Sequence, residues 1–139
     1  MFAEPGTQVD PNGLGSLDLA FVGDGVYELL VREHLAARGA MPVKQLHLAA
    51  VAYVCARAQS RAAAVLLPLL TPREEAVYKR GRNVSSVRAP KNTDQADYRR
   101  ATGLEALFGW LYLSGDIPRV RELFGHVLEA DVAEEEEDA

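Results

Sequence analysis

From Leu17 to Leu35 apolar residues recur at helical spacing, yet the run is interrupted at its centre by Gly23-Asp24-Gly25. A helix tolerates such a segment only if tertiary packing compensates. Each interior glycine costs about 1 kcal/mol relative to alanine, and an unpaired carboxylate in an apolar setting costs more still. The glycines remove side chains where a neighbouring backbone can come close, and the aspartate needs a partner or a task.

The rest of the chain follows the same helical period. No two-residue alternation persists, and the apolar segments are rich in Ala and Leu, so the fold class expected is all-α. The first helix runs from Ser16, a candidate cap, to Ala37, with Gly39 as its stop. Pro42 opens a second helical stretch that reaches about Leu70 with a break near Ala52. Thr71-Pro72-Arg73-Glu74 combines a capping Thr, a first-turn Pro and a Glu three residues after the cap, and starts a helix to about Gly81. Val84 to Thr93 reads as a basic loop, Asp94 to Ser114 as a fourth helix, and Pro118 to Ala130 as the last. With 139 residues, 48% of them hydrophobic, the chain can bury one core. Residues 1–13 are expected to be a flexible N-terminus, 14–130 the folded domain, and 131–139 an acidic, disordered tail.

The longest apolar runs, Leu48 to Ala56 and Ala62 to Leu70, are nine residues each, well short of the roughly 20 needed to span a bilayer. The N-terminus has neither a basic start nor an apolar core like a signal peptide. A cytoplasmic protein without a membrane partner is expected. The single cysteine, Cys55, excludes an intrachain disulfide and reads as a packing residue. The net charge of −5 is unevenly spread: Lys79 to Arg100 carries seven Lys/Arg against two Asp, and seven acids crowd the chain after Leu128.

At about 100° per residue, Asp24 shares an arc of its helix with Leu17, Ala20, Val31 and Leu35, and Glu28 follows one turn on. Glu105 shares an arc with Tyr98, Ala101, Phe108 and Tyr112. Both acids have small neighbours, Gly23 and Gly25 in one case and Gly103, Ala106 and Gly109 in the other, suited to close helix packing. Two such acidic helices repel unless they share a divalent cation; Mg²⁺ is typically held by one or two carboxylates and several waters. The competing explanations are a solvent-facing position or a salt bridge to Arg32, Lys79, Arg99 or Arg100, and spacing leaves all of these open.

"LAFVGDGVYELLVREHL" and "GLEALFGWLYLSG" resemble the two acidic signatures of ribonuclease III domains. "KRGRN", "PKNTD" and "YRRATGLEAL" are similar, in the same order, to blocks of the Mini-III subfamily, which lacks a separate double-stranded-RNA-binding domain. The resemblance spans Leu14 to Ser114. It implies a ribonuclease III endonuclease-domain-like helical fold, homodimeric, acting as a Mg²⁺-dependent endoribonuclease on double-stranded RNA, with Mn²⁺ as a substitute ion. The products carry 5′ phosphates, and the substrate implied is the precursor of large-subunit (23S) ribosomal RNA. By position Asp24 and Glu105 match the catalytic, metal-holding acids. Two further acidic positions of the full-length enzymes are Ala20 and Thr102 here, so water, RNA phosphate and Glu28 or Asp94 are expected to complete the metal shell, with Tyr98 in support.

Double-stranded RNA is read largely through phosphates and 2′-hydroxyls. Lys79, Arg80, Arg82, Asn83, Arg88, Lys91, Asn92 and Thr93 are suitable donors, and Val84 to Pro90 is expected to be mobile and to order on RNA. Surplus apolar residues of the first helix, Val22, Val26 and Leu29, suit the dimer interface the resemblance implies. A non-catalytic RNA-binding or ribosome-associated module of the same fold, and a helical interaction protein without RNA, are the alternatives; the paired acids count against the first and the clustered basic segment against the second.

Overall fold

The structure, a computed structural model, describes residues 9–133. Six α-helices occur among the described residues: α1 (Ser16–Ala37), α2 (Val43–Val54), α3 (Ala56–Leu66), α4 (Pro72–Arg82), α5 (Gln95–Leu113) and α6 (Ile117–Ala130), with short 3₁₀ turns at Pro11–Gly13 and Leu67–Leu69. No strand occurs among the described residues, and no helix there is long and apolar enough to cross a membrane. α1 stops before Gly39, whose φ of 120° suits a residue without a side chain. The break in the second stretch falls at Cys55, where extended backbone (φ −62°, ψ 154°) ends α2 and caps α3. It lies three residues beyond the expected Ala52, since an Ala/Val run gives no local signal for where a helix turns.

α5 is the central element. Ala101 to Leu104, Ala106 to Gly109 and Leu111 are buried, between α1 on one side and α3 and α4 on the others. Around it the core gathers Tyr27 and Val31 of α1, Leu66 of α3 and Leu123 and Val127 of α6. The Tyr27 ring meets Phe108 and Phe124 edge-on, with centroids 5.2 and 5.5 Å away, the arrangement aromatic quadrupoles favour.

The Thr71 signal is a full capping box: Thr71 Oγ1 accepts from the Glu74 amide at 3.2 Å and Glu74 Oε1 accepts from the Thr71 amide at 2.9 Å. Glu74 also receives Arg119 of α6 in a two-pronged pair, Nη2 to Oε1 at 2.8 Å and Nε to Oε2 at 2.9 Å, while Nη2 reaches the Leu69 carbonyl at 2.9 Å. Burial pushes the Glu74 carboxyl up, but hydrogen bonds from Arg119 and Thr71 outweigh it and hold the group below the usual glutamate range.

Of the N-terminal segment 1–13 expected to be flexible, residues 1–8 lie outside the described residues. Pro11 is buried, and Asn12 Oδ1 accepts from Trp110 Nε1 at 3.2 Å and Arg73 Nη2 at 3.1 Å, contacts that reach α5 and α4. At the other end, Val132 is buried against the core and residues 134–139 lie outside the described residues.

Replacing Arg119 with Met leaves Glu74 buried without its cation and is expected to cost about 3 kcal/mol in urea unfolding at pH 7. Because folding depresses the Glu74 pKa, the contribution is present above the ordinary glutamate range and is lost as pH falls through the folded value. The difference between wild type and variant should therefore shrink on acidification.

Candidate active site

α1 and α5 cross with their backbones in contact. A Cβ on Gly23 would overlap the carbonyl oxygen of Glu105, and one on Gly109 would overlap the carbonyl oxygen of Leu19. Only paired glycines permit this approach. Gly25 has no part in it: it stands in open space, some 200° around the helix from Gly23. The expectation that both glycines of the first segment serve close packing is corrected accordingly.

The crossing sets the next residue of α1, Asp24, beside Glu105 of α5. Asp24 is exposed, as is Leu17 on the same arc, so the aspartate lies at the margin of the buried face. Glu105 is half-buried, and a hydrogen bond joins the two side chains. Burial first, then the charge of Asp24, pushes the Glu105 pKa up from 4.5 to about 8, against an opposing hydrogen bond from Gln59. At neutral pH the pair therefore retains a proton. Such a pair can exchange that proton for a cation, since metal ligation requires the deprotonated acid.

The salt-bridge explanation fails for three of its cations: Arg32 pairs with Glu28 at 2.7 Å, Lys79 with Glu75 at 2.6 Å and Arg100 with Asp97 at 3.6 Å. Glu28 is thereby engaged on its own helix. Asp94 caps α5, accepting from the Asp97 amide at 2.9 Å. Tyr98 is half-buried, and its carbonyl accepts from Thr102 Oγ1 at 3.0 Å. Among the described residues no three His, Cys, Asp or Glu side chains gather in a metal-holding group. The arrangement offers two acids, while Glu28 is paired with Arg32 and Asp94 caps its own helix. Two carboxylates in contact still suit a hard divalent ion that keeps most of its waters.

One polar contact of the pair escapes sequence analysis. Gln59 of α3, 2% exposed, donates from Nε2 to Glu105 Oε2 at 3.5 Å. The only signal was a glutamine standing between Ala58 and Ala62-Ala63 on an otherwise small-residue face.

The basic segment lies along the same helices. A Cβ on Gly81 would meet Ala106 Cβ at 2.8 Å and Gly103 Cα at 3.1 Å, so the end of α4 is seated on the α5 turn that carries Glu105. Arg82 lies over the Tyr78 ring at 5.7 Å and donates to Asn83 Oδ1 at 3.1 Å. Arg80, Asn83, Arg88, Lys91 and Asn92 are exposed, and Thr93 is half-buried with its amide donating to the Pro90 carbonyl at 3.1 Å. The loop makes backbone contacts with the start of α5. Gln95 Oε1 accepts from the Ala89 amide at 2.8 Å and its Nε2 donates to the Val87 carbonyl at 3.1 Å, because the first residue of α5 has a side chain long enough to clamp both. Asn92, Thr93, Asp94 and Asp97 line a cavity of about 400 Å³ with Cys55, Ala56 and Arg57. Cys55, read as packing, thus borders a polar opening.

Residues 17–116 match the ribonuclease III domain family. The chain is 49% identical to a Mini-ribonuclease 3 of Brevibacillus brevis over 82% of its own length and 85% of that protein. The figures for a Mini-ribonuclease 3 of Symbiobacterium thermophilum are 46%, 82% and 88%, and for one of Streptococcus pneumoniae 41%, 83% and 91%. The chain belongs to the Mini-III ribonuclease family. The crystal structure of a Fusobacterium nucleatum protein superposes with a TM-score of 0.78 at 25% identity, covering 88% of this chain and 98% of that one. Family membership suggests a divalent metal, and the matched span contains both acids, the glycine crossing and the whole basic loop.

In the presence of chelator, thermal stability should fall as pH rises from about 5 to about 8. The folded protein holds the Glu105 proton until about 8, whereas an ordinary glutamate releases it near 4.5, so folding becomes less favourable across that window. Asp24→Asn removes the repulsion and should flatten the fall in melting temperature; a variant as pH-sensitive as wild type would contradict the assigned cause.

Proposed function

We propose that this endoribonuclease uses Mg²⁺ held between Asp24 and Glu105 to hydrolyse phosphodiester bonds in double-stranded RNA, with large-subunit ribosomal RNA precursor as its substrate in the cytoplasm. The observation that carries the reading is the contact of the two carboxylates at the glycine crossing, with Gln59 as their polar neighbour. The chemistry a bound divalent ion supplies there is polarisation of the scissile phosphate and acidification of the attacking water. The chain's own task is to fix the two acids at one point of a rigid crossing. Asp24 faces solvent and the incoming phosphate; Glu105 is set deeper, where burial strengthens its hold on any cation. Mn²⁺ fits the same oxygen donors. In-line attack of water on phosphorus would form the new P–O bond as the P–O3′ bond breaks, with the 3′ oxygen taking a proton, leaving a 5′ phosphate and a 3′ hydroxyl.

Lys79, Arg80, Arg82, Asn83, Arg88, Lys91, Asn92 and Thr93 form the RNA contact in this reading. The seating of α4 on α5 and the Gln95 clamp hold that segment in a defined position relative to Glu105, so a duplex gripped by its phosphates is presented to the acids in register. A homodimer completes the arrangement. Phe21, 82% exposed, projects from α1. On the same helix Val22, Val26 and Leu29 line a groove of about 410 Å³ with Tyr112, Ile117 and Val120. A two-fold pairing through these surfaces would bury the ring and supply one acid pair for each strand.

Incubated with a labelled RNA duplex and Mg²⁺, the protein should cut, and chelator should stop it. Asp24→Asn is expected to reduce the rate by several orders of magnitude with duplex binding retained; cleavage at the wild-type rate would sink the metal assignment. Arg82→Glu and Lys91→Glu should weaken duplex binding and lower the slope of log affinity against log salt by about one for each phosphate left unneutralised. An unchanged slope would remove these residues from the interface.

A further inference from the structure

We propose that Gln59 is the positioning residue of the acid pair: its buried amide, carried on α3, orients the Glu105 carboxylate for sharing a divalent cation with Asp24. The inference rests on the reading that these two acids hold the metal. Three helices meet at this point, and each brings one polar group: Asp24 from α1, Glu105 from α5 and Gln59 from α3. Asp24 and Glu105 repel each other as carboxylates, so the pair by itself does not fix the rotamer of Glu105. Gln59 does. It is 2% exposed, its Nε2 points at Glu105 Oε2 at 3.5 Å, and Glu105 is the side-chain partner the amide has among the described residues.

The chemical type of the residue matters. A lysine or arginine in this place would neutralise Glu105 and occupy the position of a cation. A neutral amide donates to one oxygen and leaves the negative charge of the pair in place for an ion. The contact, at 3.5 Å, is at the long end of hydrogen bonding, and an ionised carboxylate is a stronger acceptor for such a donor than a neutral one. In a site with two carboxylates, and with Thr102 turned back to the Tyr98 carbonyl, the amide supplies orientation that further acids would otherwise impose. Groups that orient a metal ligand in this way typically govern affinity by about 10–100-fold.

The test is calorimetric titration of Mn²⁺ alone, without RNA, into the full chain and into Q59L, Q59M and D24N, with melting temperatures recorded in chelator. Leu and Met replace the glutamine at similar volume. Q59L and Q59M are expected to bind Mn²⁺ about tenfold more weakly while melting within about 2 °C of wild type, and D24N is expected to lose binding. Duplex cleavage by both Gln59 variants should need about tenfold more Mg²⁺ at an unchanged KM for RNA. Wild-type Mn²⁺ affinity in both Gln59 variants, with binding abolished in D24N, overturns the role of Gln59 and leaves the metal pair standing. Affinity that falls only in step with a lowered melting temperature also overturns it, as packing rather than orientation. Wild-type affinity in D24N overturns the metal pair, and this inference with it.

Discussion

The closeness of α1 and α5 is the constraint on which the remainder depends. Helices normally pack about 8–10 Å apart, held off by their side chains; here Gly23 and Gly109 remove those spacers and each backbone rests on the other. Everything attached to the two helices is thereby fixed to within a residue's width. The neighbours of the glycines become the site, because Asp24 follows Gly23 directly and Glu105 lies one turn before Gly109. The helical cost of the glycines is offset by the burial of α5 along most of its length.

Two acids at helix junctions are treated in opposite ways. Glu74 is closed off: it caps α4, receives Arg119 in two hydrogen bonds, and is held ionised. Glu105 receives an amide and another carboxylate, and is held protonated at neutral pH. Both are costly groups to bury, but only the first is compensated within the fold. Stability alone would favour the Glu74 solution at both places. The unneutralised pair is a departure from local consistency of the kind expected at functional sites, and it is the basis of the proposed metal site.

Much of this was legible in the sequence, within definite limits. Helical period and punctuation placed the helices among the described residues closely, because Gly39, Pro42, Thr71-Pro72 and Pro118 act on the backbone next to them. Periodicity also raised the suspicion that Asp24 and Glu105 meet, but a helical arc has no knowledge of its partner: Gly23 and Gly25 look alike in sequence, and only the crossing distinguishes them. Gln59 with Glu105, and Arg119 with Glu74, join residues 46 and 45 positions apart, and neither member of each pair announces the other. The Val84 to Pro90 loop is a similar case: the hydrogen bonds made to its Ala89 and Val87 backbone come from Gln95, a side chain beyond the loop.

The contact of Asn12 with Trp110 has a spectroscopic consequence. Trp110 is the single tryptophan of the chain, on α5 five residues after Glu105, and its indole N–H is tied to the segment leading into α1. Arg73 lies 5.5 Å over the same ring and donates to the same asparagine oxygen. One chromophore therefore senses three elements, the entry to α1, the first turn of α4 and the helix that bears Glu105. Its emission is an intrinsic optical gauge of whether the crossing is assembled, readable without a label and without a substrate.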